Sequence, residues 1–133
     1  MVSNKLLKLA RAISEFEGWY CSDKTGIGML HGSASWRNHN PGNLRSSPWA
    51  IGTSDGFAVF INDEIGFNAL VWDLHQKASG KTTTGLCAGS TIYDLIRIYS
   101  GEPDNIVLNY STFVEKSTGL KMTTKLGDLI LAE

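Results

Sequence analysis

A mainly helical α+β domain is the fold class this sequence predicts, and three observations lead to it. Apolar residues recur at helical spacing in the first 17 residues and again through the second half of the chain. Between them, residues 20–54 are dense in Gly, Ser and Asn and leave room only for short strands. No internal repeat, low-complexity tract or linker interrupts the 133 residues, so 1–133 reads as a single domain large enough for a hydrophobic core. An apolar share of 42% against 19% charged residues places the chain among globular rather than disordered sequences.

The first helix is expected from about Asn4 to Glu17, with Ser3 or Asn4 capping it and Gly18 stopping it. In the loop-rich stretch, Asn43–Arg45, Ala50–Gly52 and Phe57–Ile61 can form a small antiparallel sheet, with Ser54-Asp55-Gly56 as the turn. Asn62-Asp63-Glu64 supplies a cap and early acids for a second long helix to about Ala78. Ile65, Phe67, Ala69, Leu70, Val71, Trp72 and Leu74 nearly encircle it, the pattern of a central, largely buried helix. Trp72, like Trp19, is therefore read as core. Ser90 is expected to cap a helix to about Ser100, and Asp104 another to Thr118, ended by Gly119. A short last helix spans about Thr124–Ala132.

Bulk charge excludes some function classes. The formal net charge is −1 with no basic run, so a nucleic-acid partner is not expected, nor is wall binding through charge alone. No stretch approaches the roughly 20 apolar residues of a membrane span. Met1–Lys8 lacks the apolar run of a signal peptide, so the expectation is a monomeric chain made in the cytoplasm that something else must carry to any target outside the membrane. Cys21 and Cys87 are far apart in sequence; free thiols are the default and a disulfide the alternative.

Two features carry chemistry. On a helical wheel of roughly 100° per residue, Leu6, Leu9, Ala10, Ile13 and Phe16 share one arc, and Glu17 falls inside it while Glu15 lies outside. Burial and the negative end of the helix dipole both favour the neutral form of a glutamate placed there. A carboxyl kept protonated near neutrality is the proton donor that a glycosidic oxygen requires. The bland alternative is a solvated residue at a fraying helix end. The second feature is Arg37-Asn38-His39-Asn40-Pro41-Gly42-Asn43-Leu44-Arg45. Amides and guanidiniums offer donors and acceptors without titrating near neutrality, which suits a hydroxyl- and acetamido-rich ligand. Taken alone, Asn-Pro-Gly-Asn is also a turn, with Pro fixing one φ and Gly permitting a positive φ at the next position.

The blocks Glu17-Gly18, Arg37–Arg45, Gly56–Phe60, Glu64–Leu70 and Asn109–Val114 follow one another in an order that resembles the phage and bacterial lysozyme-like peptidoglycan hydrolases. These carry an Arg-Asn-x-Asn-Pro-Gly-Asn-(Leu/Ile)-Arg signature and are relatives of goose-type lysozymes and soluble lytic transglycosylases. The resemblance covers roughly Ile13 to Gly119; His39 departs from it, standing where Asn is more usual. It implies a lysozyme-like fold with a small antiparallel sheet beside the active-site cleft. It also implies cleavage of the β-1,4 bond between N-acetylmuramic acid and N-acetylglucosamine, with no cofactor and with peptidoglycan glycan strands as partner. Glu17 matches the catalytic acid. Asn40, Asn43 and Arg45 match the substrate-binding motif, with Pro41 and Gly42 shaping the loop. Tyr110 matches a late tyrosine that approaches the acid, although it also shares a helical face with Ile106, Phe113 and Val114 and reads equally well as core.

The reaction stays open between two chemistries. A two-carboxylate hydrolase needs a second acid at a set separation. The candidates are Asp23, Asp55, Asp63 and Glu64; Asp23 is the best of them, because Asp55 reads as a turn residue and Asp63 and Glu64 as helix-start acids. A single glutamate that protonates the bridging oxygen and then deprotonates the sugar's own 6-hydroxyl would instead give a 1,6-anhydro product. His31, His39, His75 and Cys21 lack any recognised metal-ligand spacing, and Gly26-Ile27-Gly28 lacks the context of a phosphate loop. Trp36 and Trp49 either stack on sugar faces or are buried under the loop. The competing classes are a non-catalytic glycan-binding domain and a structural phage component on the same fold.

Overall fold

The computed structural model describes residues 2–17 and 34–131. Trp19, Cys21, Asp23, the Gly26–Gly28 pair and His31 lie outside them. The described chain is mainly helical, with one two-stranded antiparallel sheet. It falls into two compact units, residues 13–73 and residues 1–12 with 74–133.

The larger unit begins with α1 (Asn4–Phe16), of which residues 4–12 belong to it. Ser3 is the cap, its Oγ accepting from the Leu6 amide at 3.1 Å and donating to the carbonyl of Leu129. Leu6, Leu9, Ala10 and Ala12 are buried along the inward side. The sequence from Leu86 onward adds α4 (Ile92–Ser100), α5 (Asp104–Thr118) and α6 (Leu126–Leu129). The cap of α4 is Thr91 rather than Ser90: its hydroxyl accepts from Asp94 N while the Asp94 carboxylate accepts from Thr91 N, a reciprocal capping box. Pro103 occupies the cap position of α5, and Asp104 is its first helical residue. Gly101 and Gly119 end α4 and α5 in the left-handed conformation. The last helix is shorter than its apolar spacing suggests, because Leu126 N and Gly127 N bond to the carbonyls of Ser90 and Ala88 instead of continuing a longer helix.

The smaller unit holds the end of α1, a short helix α2 (Ala34–Arg37) that sequence reading left as loop, the hairpin, and most of α3 (Asp63–Ala78). The hairpin pairs β1 (Gly52–Ser54) with β2 (Phe57–Val59), Thr53 facing Ala58. Its two-residue turn has φ of +50° at Asp55 and +83° at Gly56, the left-handed pair that matches strand twist. Helix α3 starts where expected, Asn62 Oδ1 accepting from Ile65 N at 2.9 Å. Its encircling apolar residues do not make Trp72 core, however: the indole is 41% exposed. Burial goes instead to Gly66, Ala69, Leu70 and Val71 within the unit.

Candidate functional site

The amide-rich stretch is built by one of its own side chains. Asn40 is fully buried. Its Nδ2 donates to the carbonyls of Leu44 and Ala58 and its Oδ1 accepts from Leu44 N, each at 2.9 Å. Ala58 N in turn donates to the Leu44 carbonyl at 2.9 Å. Asn43–Arg45 is therefore not the strand its sequence suggests. One main-chain bond ties it to β2, and a buried amide takes the place of the rest of the ladder. Asn40 is framework, holding the loop on the hairpin rather than facing a ligand.

The turn within the motif also differs from expectation. Asn43 N donates to the Asn40 carbonyl at 2.9 Å across Pro41-Gly42, but the positive φ falls on Asn43 (+52°), not on Gly42. Asn is among the few side chains that tolerate that conformation. The same physics explains His39, also at φ +52°, in a position where Asn is equally suited. His39 Nδ1 pairs with Asp63 Oδ1 at 2.5 Å, joining the loop to the first turn of α3. Packing tightens that junction further. A Cβ on Gly66 would lie 1.8 Å from the His39 carbonyl oxygen and 3.0 Å from Pro41 Cδ, so only glycine lets helix and loop approach this closely.

What the loop leaves for recognition is narrower than its amide count. Asn38 is buried, and its main-chain carbonyl accepts from Phe60 N at 2.9 Å. Asn43 is half-buried, and its Oδ1 is shut off from solvent with no hydrogen-bond partner among the described residues. Arg45 is exposed, its guanidinium carbon 4.3 Å from the centre of the Phe57 ring, which pre-orients the charge without neutralising it. Phe57 was not singled out from sequence; its place directly after the Asp-Gly turn, on a strand adjoining the motif, is the signal that could have found it.

Glu17 belongs to the same unit. Its amide donates to the Ile13 carbonyl at 2.9 Å, closing the last turn of α1, and the residue is half-buried while Glu15 is exposed. Glu17, Asn40, Asn43 and Arg45 all fall within residues 13–73. Tyr110 does not. It is a buried residue of the larger unit, in line with Val107, Ser111 and Val114 on α5. Among the alternative acids, Asp63 is held by His39 and Asp55 occupies the left-handed turn, so each has a structural occupation; Glu64 is exposed in the first turn of α3.

Trp72 is the aromatic that sequence reading placed wrongly, while for Trp36 and Trp49 exposure decides between the two readings left open. Trp36 is exposed, and Trp49 and Trp72 meet edge to face with ring centres 5.0 Å apart. Asn68, four residues before Trp72 on the same helical face, was the available hint that this face is not interior. Among the described residues no group of three or more His, Cys, Asp or Glu is placed to hold a metal ion, and no helix is long and apolar enough to cross a membrane. No protein family, curated protein or solved structure matches the chain.

Proposed function

We propose that this chain cleaves the β-1,4 glycosidic bond between N-acetylmuramic acid and N-acetylglucosamine in peptidoglycan, on a lysozyme-like fold, with Glu17 as general acid and base. The observation that carries the reading is a half-buried glutamate closing the last turn of α1, in one compact unit with a loop that Asn40 locks against the hairpin. The carboxyl protonates the bridging oxygen as the bond to the anomeric carbon breaks. Arg45, held over Phe57, supplies a cationic contact to carboxylate groups of the strand, and the half-buried Asn43 meets acetamido groups through its amide nitrogen, its oxygen being shut off from solvent. The carboxylate then removes a proton from either the sugar's own 6-hydroxyl or a water as that oxygen bonds to the anomeric carbon, which returns Glu17 to its protonated form. Asp55 and Asp63 already serve turn and helix-loop contacts, Glu64 is exposed and Asp23 lies outside the described residues, so the released product decides between the single-glutamate route and hydrolysis.

The test is lysis of purified cell walls by wild type and Glu17→Gln, followed by mass spectrometry of the released muropeptides. Glu17→Gln should lower the rate at least about 100-fold, the lower bound for losing a general acid. Equal rates would remove Glu17 from the chemistry. A product lighter by one water identifies transglycosylation, and a reducing sugar end identifies hydrolysis. Three exposed indoles favour a second reading, a glycan-binding domain without turnover, which predicts wall binding with no released product.

A further inference from the structure

Helix α3 presents a second surface whose chemistry the cleavage reading does not use. Ile65, Asn68, Ala69 and Trp72 lie at i, i+3, i+4 and i+7, one face of the helix, and with Trp49 they line a pocket of about 350 Å³. The centre of that face is roughly 110° around the helix from Gly66, the residue pressed against the His39–Pro41 backbone, so it is not the side that supports the amide loop. Both indoles remain substantially open to solvent, 47% for Trp49 and 41% for Trp72, though they touch edge to face. Two perpendicular indoles left this exposed mark a binding surface rather than a core.

The lining selects the occupant. It holds no charged side chain, which leaves an anionic or cationic ligand without a counter-charge. Its volume lies at the lower end of the roughly 300–1,000 Å³ typical of ligand pockets, suiting one ring rather than a helix of a protein partner. A wholly apolar ligand would cover the exposed Asn68 amide without satisfying it. A pyranose meets each condition: its C–H face packs on an indole, and an acetamido or hydroxyl group exchanges hydrogen bonds with the amide. We propose that Trp49, Asn68 and Trp72 form an accessory site for a neutral N-acetylated sugar ring of the N-acetylglucosamine type. The alternating sugar, which carries a carboxyl-bearing lactyl group, has no partner in this lining. The inference rests on the amino-sugar reading above for its ligand class, not on catalysis by Glu17.

The experiment titrates chitotetraose into the full chain carrying Glu17→Gln, following the tryptophan indole N–H resonances by NMR, with Trp49→Phe and Trp72→Phe assigning two of them. The Trp49 and Trp72 signals should shift and saturate together. Trp72→Ala should weaken the affinity read at Trp49 about tenfold, and cellotetraose, which lacks the acetamido groups, should bind about tenfold more weakly than chitotetraose. Asn68→Ala, an exposed change that leaves the fold intact, should erase that preference. Shifts confined to other indoles, equal binding of the two oligosaccharides, or unchanged affinity in both Trp72→Ala and Asn68→Ala would each overturn the proposal. So would saturable shifts of these indoles by an apolar peptide and not by chitotetraose. Wall lysis that depends on Glu17 alongside any of these results leaves the cleavage reading standing; sugar binding at this site without lysis leaves this one standing.

Discussion

Replacing Asn40 by alanine tests whether the motif is architecture before it is recognition. The change removes the 2.9 Å bonds to Leu44 N, the Leu44 carbonyl and the Ala58 carbonyl. The Leu44 carbonyl keeps its bond from Ala58 N, so two main-chain groups, Leu44 N–H and the Ala58 carbonyl, lose the side chain that satisfies them. Leaving a buried group unsatisfied costs about 1–3 kcal/mol, which gives about 4 kcal/mol for the pair. That is a large part of the roughly 5–15 kcal/mol by which domains are stable. With a urea slope of about 2 kcal/mol/M, the midpoint should fall by about 2 M at unchanged slope. All four tryptophans lie within residues 13–73, so their fluorescence reads the affected unit directly. Asn40→Asp sharpens the test. A carboxylate keeps the acceptor for Leu44 N but points its other oxygen at two carbonyls, so its folded-state pKa is raised and the charged form is disfavoured. The deficit should then be smallest near pH 4 and grow as the pH rises through that raised value. A loss below about 1 kcal/mol in Asn40→Ala, or a deficit in Asn40→Asp that shrinks with rising pH, would refute the framework assignment.

Asn43→Gly should leave stability within about 0.5 kcal/mol, since glycine accepts the +52° φ and the deleted carbonyl oxygen has no partner to lose; wall cleavage should fall at least about tenfold in a lysis assay. Gly66→Ala should cost about 3 kcal/mol or more by thermal or urea unfolding because its Cβ meets the His39 carbonyl at 1.8 Å, whereas Gly52→Ala, with nothing within 4 Å, should stay within about 0.5 kcal/mol. The Ser90 hydroxyl, 3.7 Å from the exposed Cys87 thiol, holds that thiol below its ordinary pKa. In a Cys21→Ser background the pH midpoint of iodoacetamide labelling should therefore lie below that of the urea-unfolded chain and move up in Ser90→Ala.

The helices were legible because local signals set them. Ser3, Asn62 and the glycines at 101 and 119 mark ends that the structure uses, and the arc from Leu6 to Ile13 is the face that is buried. The hairpin turn was legible for the same reason, since Asp55-Gly56 accepts two positive φ angles that few other pairs tolerate. What escaped sequence reading depends on partners distant in the chain. Nothing around residue 43 reveals that its strand is replaced by a buried amide, because the acceptor on Ala58 arrives from the hairpin. Trp72 was misplaced because an apolar residue counts alike on a wheel whether a neighbour covers it or not. Helix α2 is four residues long, too short for any period to register.

Burial across residues 37–45 divides the motif in a way its letters do not. Asn38, Asn40, Pro41, Gly42 and Leu44 are buried, and Arg37 and Arg45 are exposed, with His39 and Asn43 between. Of the three amides, Asn40 is spent on Leu44 and Ala58, Asn38 is inward, and Asn43 is half-buried with its carbonyl oxygen shut off from solvent and unpaired among the described residues. The part of the signature that makes it recognisable is thus largely the part that builds the loop. On the proposed function, recognition falls on Asn43 and on a guanidinium held over Phe57, and rigidity around them would leave little ordering to be done when a sugar binds. A chain that keeps Asn40, Gly66 and the Asp55-Gly56 turn but replaces Asn43 and Arg45 should therefore retain this architecture while losing its ligand. On the proposed function, stability and cleavage should be separable at neighbouring positions of one nine-residue stretch.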